Sequence, residues 1–185
     1  MSASNRRGGQ SVAEFALVLP VLVAMIGGIV QFGMIFWAQN TLTQVVRDTG
    51  RWAATQQGCS TSTVNIAGEA NTVAGNSSLI GYSTTWTATD ETVTPGYTSA
   101  GDTTVGSFTT NEAVAVAWVK DSDATNEGCP PTDNQSVYHV TIKINHTIPI
   151  FFPGMQYLPG LGTCDSTGCH VVLSSTAQFR MEPAP

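Results

Sequence analysis

From Phe15 to Ala38 the chain carries no charged residue, and none follows until Arg47. A helix over that stretch rises about 1.5 Å per residue and reaches roughly 36 Å, enough to cross a hydrocarbon core of about 30 Å with some tilt. Two basic residues, Arg6 and Arg7, precede the run, and one carboxylate, Glu14, stands at its mouth. Basic residues favour the cytoplasmic side of a membrane helix, so the N-terminus is expected in the cytoplasm and everything beyond Ala38 outside it. This divides the chain into a short basic N-terminal segment, a transmembrane helix ending at Ala38 and an extracytoplasmic domain at 39–185.

A cleaved secretory signal is the competing reading. Its apolar core runs about 7–15 residues and ends at a small-residue cut site. Here the apolar run continues through Phe32, Met34, Phe36 and Trp37 with no Ala-x-Ala exit, which favours retention in the membrane. Pro20 lies inside the span, where neighbouring helices can re-satisfy the carbonyl it frees. Gly27, Gly28 and Gly33 form a thin face open to close approach by another helix, or they reflect the ordinary frequency of glycine in membrane helices.

The opening Gly9-Gln10-Ser11-Val12-Ala13-Glu14-Phe15-Ala16-Leu17-Val18-Leu19-Pro20 resembles that of TadE-like proteins, minor pilin-like components of tight-adherence (Flp-type) pilus machines. Arg47-Asp48-Thr49-Gly50-Arg51-Trp52 is similar to the segment after the membrane helix in that family, and so is the tail Ser174 to Glu182. The resemblance implies a prepilin leader cut between Gly9 and Gln10 by a prepilin peptidase, which makes Glu14 the fifth mature residue. It also implies an assembly and register role for Glu14 and Phe15, with Glu14 pairing to the freed α-amino group of a neighbouring subunit. Pairing offsets the cost of holding a carboxylate at the edge of an apolar span. The alternative is a hydrated first-turn glutamate favoured by the helix dipole.

The chain has 7 Lys and Arg against 13 Asp and Glu, a formal charge of −6, and loss of Arg6 and Arg7 with the leader takes it to about −8. So acidic a domain lacks the clustered cations that nucleic acid requires, and no nucleic-acid partner is expected. The roughly 145 residues beyond the membrane suffice for one modest domain. Leu42, Val45, Val46, Trp52 and Ala53 continue an apolar stripe at helical spacing as far as Gln56-Gln57-Gly58. A weaker helix is expected from Ser62 to Ala74, with Val64, Ala67, Ala70 and Val73 on one side. Tyr82 to Ala88 reads as a strand around Trp86, and Val114, Val116 and Trp118 alternate with alanines as another. The clearest strand is Val137 to Ile150, with Tyr138, Val140, Ile142 and Ile144 on one face and His139, Thr141, Lys143 and Asn145 on the other. His170 to Phe179 alternates more loosely, placing Val171, Leu173, Ala177 and Phe179 together. The expected fold is α+β and pilin-like: a long N-terminal helix, membrane-spanning and then amphipathic, packed on a small, mostly antiparallel sheet.

Four cysteines in an oxidising compartment imply disulfides with three possible connectivities. The pairing chosen is Cys164–Cys169, a local clip before the last strand, with Cys59–Cys129 tying the helical region to the sheet. The loop Cys164 to His170 as a metal site is the alternative, although zinc prefers tighter spacing and a second ligand pair. No metal or cofactor is expected.

Catalytic motifs such as Gly-x-Ser-x-Gly, His-Glu-x-x-His and the phosphate loop are absent from the sequence, and no enzymatic activity is expected. His146 falls on the apolar side of its strand, as a hydrogen-bonded core histidine does. Asp121 and Asp123 lack the regular ligand spacing of a calcium loop and read as a solvated turn. The sequence thus points to a structural subunit, single-pass in a bacterial cytoplasmic membrane, whose partners are other pilin-like subunits through the N-terminal helix, a prepilin peptidase and the membrane. Two alternatives stand beside it: an anchored binding module using Trp86 and Trp118 as exposed aromatics, and a secreted enzyme with a cleaved signal.

Overall fold

The computed structural model describes residues 8–56, 64–82, 86–90, 113–120, 138–152, 162–166 and 168–181. Helix α1 runs unbroken from Gly8 to Ala54, 47 residues or roughly 70 Å, with Pro20 inside it. The apolar run supplies its first part and the amphipathic stripe its second, so one helix serves two environments. A short second helix, α2, spans Ile66–Asn76. It starts later than the Ser62 expectation because the Asn65 side chain accepts from the Gly68 N–H at 2.9 Å and caps the helix there.

Five strands follow: β1 Ala88–Asp90, β2 Ala113–Lys120, β3 Tyr138–Pro149, β4 Thr163–Asp165 and β5 Gly168–Arg180. They form one sheet in the order β1-β2-β3-β5-β4. All neighbouring pairs are antiparallel except β1 with β2, which is parallel. The α+β, mostly antiparallel architecture is the one the sequence implies.

The α1 and α2 helices pack on the sheet face that carries Val114, Val116, Val140, Ile142, Ile144, Ile148 and Leu173. From α1 come Ala38, Leu42, Val45, Val46 and Ala53; from α2 come Ile66, Ala70 and Ala74. The expected stripe on α1 is therefore the buried face, with Trp52 only partly covered. The opposite sheet face is not simply open to water, since Ala115 and Thr141 are also fully buried.

Trp86 departs from expectation twice. It lies before β1 rather than within a strand, and it is 1 % exposed. Asn71 of α2 explains the placement: its Nδ2 donates to the Trp86 carbonyl at 3.0 Å, while its Oδ1 accepts from the Trp86 N–H at 2.8 Å and the Tyr82 hydroxyl at 2.7 Å. One amide thereby satisfies backbone groups that a strand ladder would otherwise satisfy. His146 packs edge-on to the Trp86 ring at 5.9 Å, and its Nε2 donates to the Ile80 carbonyl at 2.8 Å, which places the proton on Nε2. It is a fully buried core histidine.

Candidate functional site

The first turns of α1 are backbone helix from Gly8, so Gly9 and Gln10 are already helical, while Met1 to Arg7 lie outside the described residues. No acidic residue stands in the first turn, and Glu14 falls in the second. Glu14 and Phe15 are both exposed. From Ser11 to Ile26 every side chain is exposed, and nearly all are apolar. Water does not tolerate so large an apolar surface on a monomer; lipid or other helices do. The helix is long and apolar enough to cross a membrane.

The covered part of α1 begins at Gly27. A side chain there would collide with the Phe152 ring, so glycine makes the seat for that phenylalanine. Gly50 does the same for Phe179, and the two glycines bracket the length of helix on which the domain rests. Of the three glycines on the thin face, Gly27 is filled from within the molecule, while Gly28 and Gly33 have nothing within 4 Å.

Polar contacts run up the same seam. Gln31 is 1 % exposed; it donates from Nε2 to the Pro149 carbonyl at 3.4 Å and accepts the Phe151 N–H on Oε1 at 3.0 Å. Higher up, Gln39 donates to the Ser174 carbonyl at 3.2 Å, and Ser175 Oγ approaches Thr43 Oγ1 at 3.5 Å. Gln31, Phe151 and Phe152 carry no weight in the sequence reading. The available signal was the lone amide inside an apolar run, because a buried amide requires partners.

At the sheet edge, Cys164 and Cys169 face each other across β4 and β5 and are joined by a disulfide. Their sulfurs are bound to one another, so the metal-loop alternative loses its two thiolates. Beside the bridge, Thr163 Oγ1 lies 3.2 Å from His170 Nε2, and Asp165 Oδ2 lies 3.8 Å from His170 Nδ1. The arrangement is local to an exposed hairpin, and among the described residues no group of three or more His, Cys, Asp or Glu is placed to hold a metal. Cys59, Cys129, Asp121, Asp123 and the Trp118 side chain lie outside the described residues. The burial of Trp86 removes one of the two aromatics on which the exposed binding-module alternative depended.

No curated protein and no solved structure is significantly similar to the chain. A family model described as TadE-like protein matches residues 9–51. That match takes in the glycine–glutamine junction, Glu14, the exposed apolar length and the first turns that the sheet covers. Residues 9–51, less than a quarter of the chain, are thus similar to the TadE-like family.

Proposed function

We propose that the chain is a membrane-anchored, minor pilin-like subunit for assembly of a tight-adherence pilus, processed by a prepilin peptidase between Gly9 and Gln10. The observation that carries the reading is that the TadE-like match over residues 9–51 includes the apolar stretch from Ser11 to Ile26, every side chain of which is exposed. An exposed apolar stretch of helix can anchor in a bilayer and then pack against like helices, where shape fit and small residues such as Gly28 and Gly33 govern association.

In this reading Arg6 and Arg7 hold the leader in the cytoplasm, and the α+β domain stands on the outer side of the cytoplasmic membrane. Cleavage frees the Gln10 α-amino group. Glu14 of one subunit and that amine of another neutralise each other and set the axial register of neighbouring helices; Phe15 lies beside the pair. The role is structural, with no bond made or broken by this chain. The test is the N-terminus of the membrane-fraction protein, read by intact mass with and without the cognate peptidase. A peptidase-dependent start at Gln10 is expected, and an intact leader under both conditions would end the pilin reading.

A further inference from the structure

If the hydrocarbon core begins at Phe15, just beyond Glu14, a thickness of about 30 Å at about 1.5 Å per residue ends near Met34. The bare stretch from Ser11 to Ile26 covers only roughly 24 Å by the same measure. The span therefore has to include residues that the domain already touches. Trp37, 57 % exposed, and its neighbour Phe36 lie just past Met34, where interfacial aromatics gather. Gln31 sits six residues below Trp37, or about 9 Å along the axis. Yet Gln31 holds the Pro149 carbonyl and the Phe151 amide, and Phe152 is seated lower still, on Gly27.

We propose that Phe151 and Phe152, just past the end of β3, form a membrane-docking foot that seats the globular domain in the outer headgroup–acyl boundary instead of holding it clear of the bilayer. The proposal rests on the reading of α1 as a membrane anchor. Phe151 is 64 % exposed and points no charge at the surface it faces; the described residues around it, Pro149, Ile150 and Phe152, are also uncharged. Three backbone groups at this depth have partners: Gln31 holds the Pro149 carbonyl and the Phe151 N–H, and the Ile150 N–H donates to the Cys169 carbonyl at 2.9 Å. Matched backbone is the condition for irregular chain to enter a lipid boundary. The neighbouring hairpin limits the depth. His170 pairs in register with Pro149, and Asp165 follows on β4, so that carboxylate belongs among the headgroups and the foot reaches no further than the upper acyl chains.

Lipid is the occupant, rather than a second copy of the chain, because the foot lies at a level of the anchor that the bilayer itself fills. The experiment uses the full chain in vesicles of phosphatidylethanolamine and phosphatidylglycerol. Three single variants carry a photoreactive side chain: Leu22→p-benzoylphenylalanine in the span, Phe151→p-benzoylphenylalanine at the foot and Gln178→p-benzoylphenylalanine on the exposed side of β5. Mass spectrometry after irradiation then identifies adducts. Phospholipid adducts at positions 22 and 151, with none at 178, are the expected result. Adducts at 22 alone, or a position-151 crosslink to a second protein copy, would overturn the foot while leaving the anchor standing. Absence of lipid adducts at both 22 and 151 would overturn the anchor and the foot together. Circular dichroism of each variant checks that the fold persists.

Discussion

The two halves of α1 share one continuous helix and have opposite surroundings. Between Ser11 and Ile26 every side chain is exposed; between Ala38 and Ala54 the core positions Ala38, Leu42, Val45 and Val46 are sealed beneath the sheet. The first half is apolar on all sides, and the second is apolar on one stripe with Arg47, Asp48 and Arg51 outside the core. An all-round apolar surface demands an apolar solvent, whereas a stripe demands only one partner face. The lower half is thus available to lipid and other subunits, and the upper half is committed to its own domain.

Matched truncations break the comparison most directly. Leu42→Ala should destabilise the domain by about 2–5 kcal/mol, through lost burial and the cavity left behind, while Leu22→Ala should shift it by less than about 0.5 kcal/mol. Denaturant melts of the full chain in detergent measure both, and equal losses would mean that the halves are not energetically distinct. Next in size is the edge clip. Cys164→Ser with Cys169→Ser opens a very short loop and should cost about 2 kcal/mol by chain entropy, visible as a lower melting midpoint with the helix–sheet seam intact.

Gln31→Ala sharpens the border between the halves. It strips partners from the Pro149 carbonyl and the Phe151 amide, for an expected loss of about 1–3 kcal/mol. Faster hydrogen exchange should appear at Phe151 while the Leu42 region stays protected, and uniform loosening of the whole domain would contradict a local role. The smallest effect on stability belongs to Glu14→Ala, within about 0.5 kcal/mol, since the residue is exposed on the bare half. Its expected effect is on assembly: loss of co-purification with partner pilins. Normal assembly of that variant would remove Glu14 from the register role.

Periodicity made much of the domain legible. Val140, Ile142 and Ile144 alternate as a half-buried strand must, and β3 appears within one residue of the expected ends. His146 was legible for the same reason, because its parity placed it among apolar neighbours. Trp86 was not. A tryptophan among threonines reads as exposed strand, and only the reach of Asn71 across 15 positions of sequence turns it into the core. The parallel pairing of the three-residue β1 likewise leaves no periodic trace, because three residues are too few to alternate.

The candidate site divides in the same way. The junction Gly9–Gln10, the carboxylate of Glu14 and the uncharged run behind it are properties of adjacent residues, so the amino-acid sequence alone determines that a long apolar helix begins behind Arg6 and Arg7. Where that helix stops being free is not a local property. Gly27 and Gln31 acquire their roles from Phe152, Pro149 and Phe151, more than a hundred residues away. Glycine and glutamine look alike in a membrane helix whether or not a domain rests on them; only tertiary packing decides which glycine holds a ring and which stays open, because the partner arrives from another element and leaves no mark on the spacing.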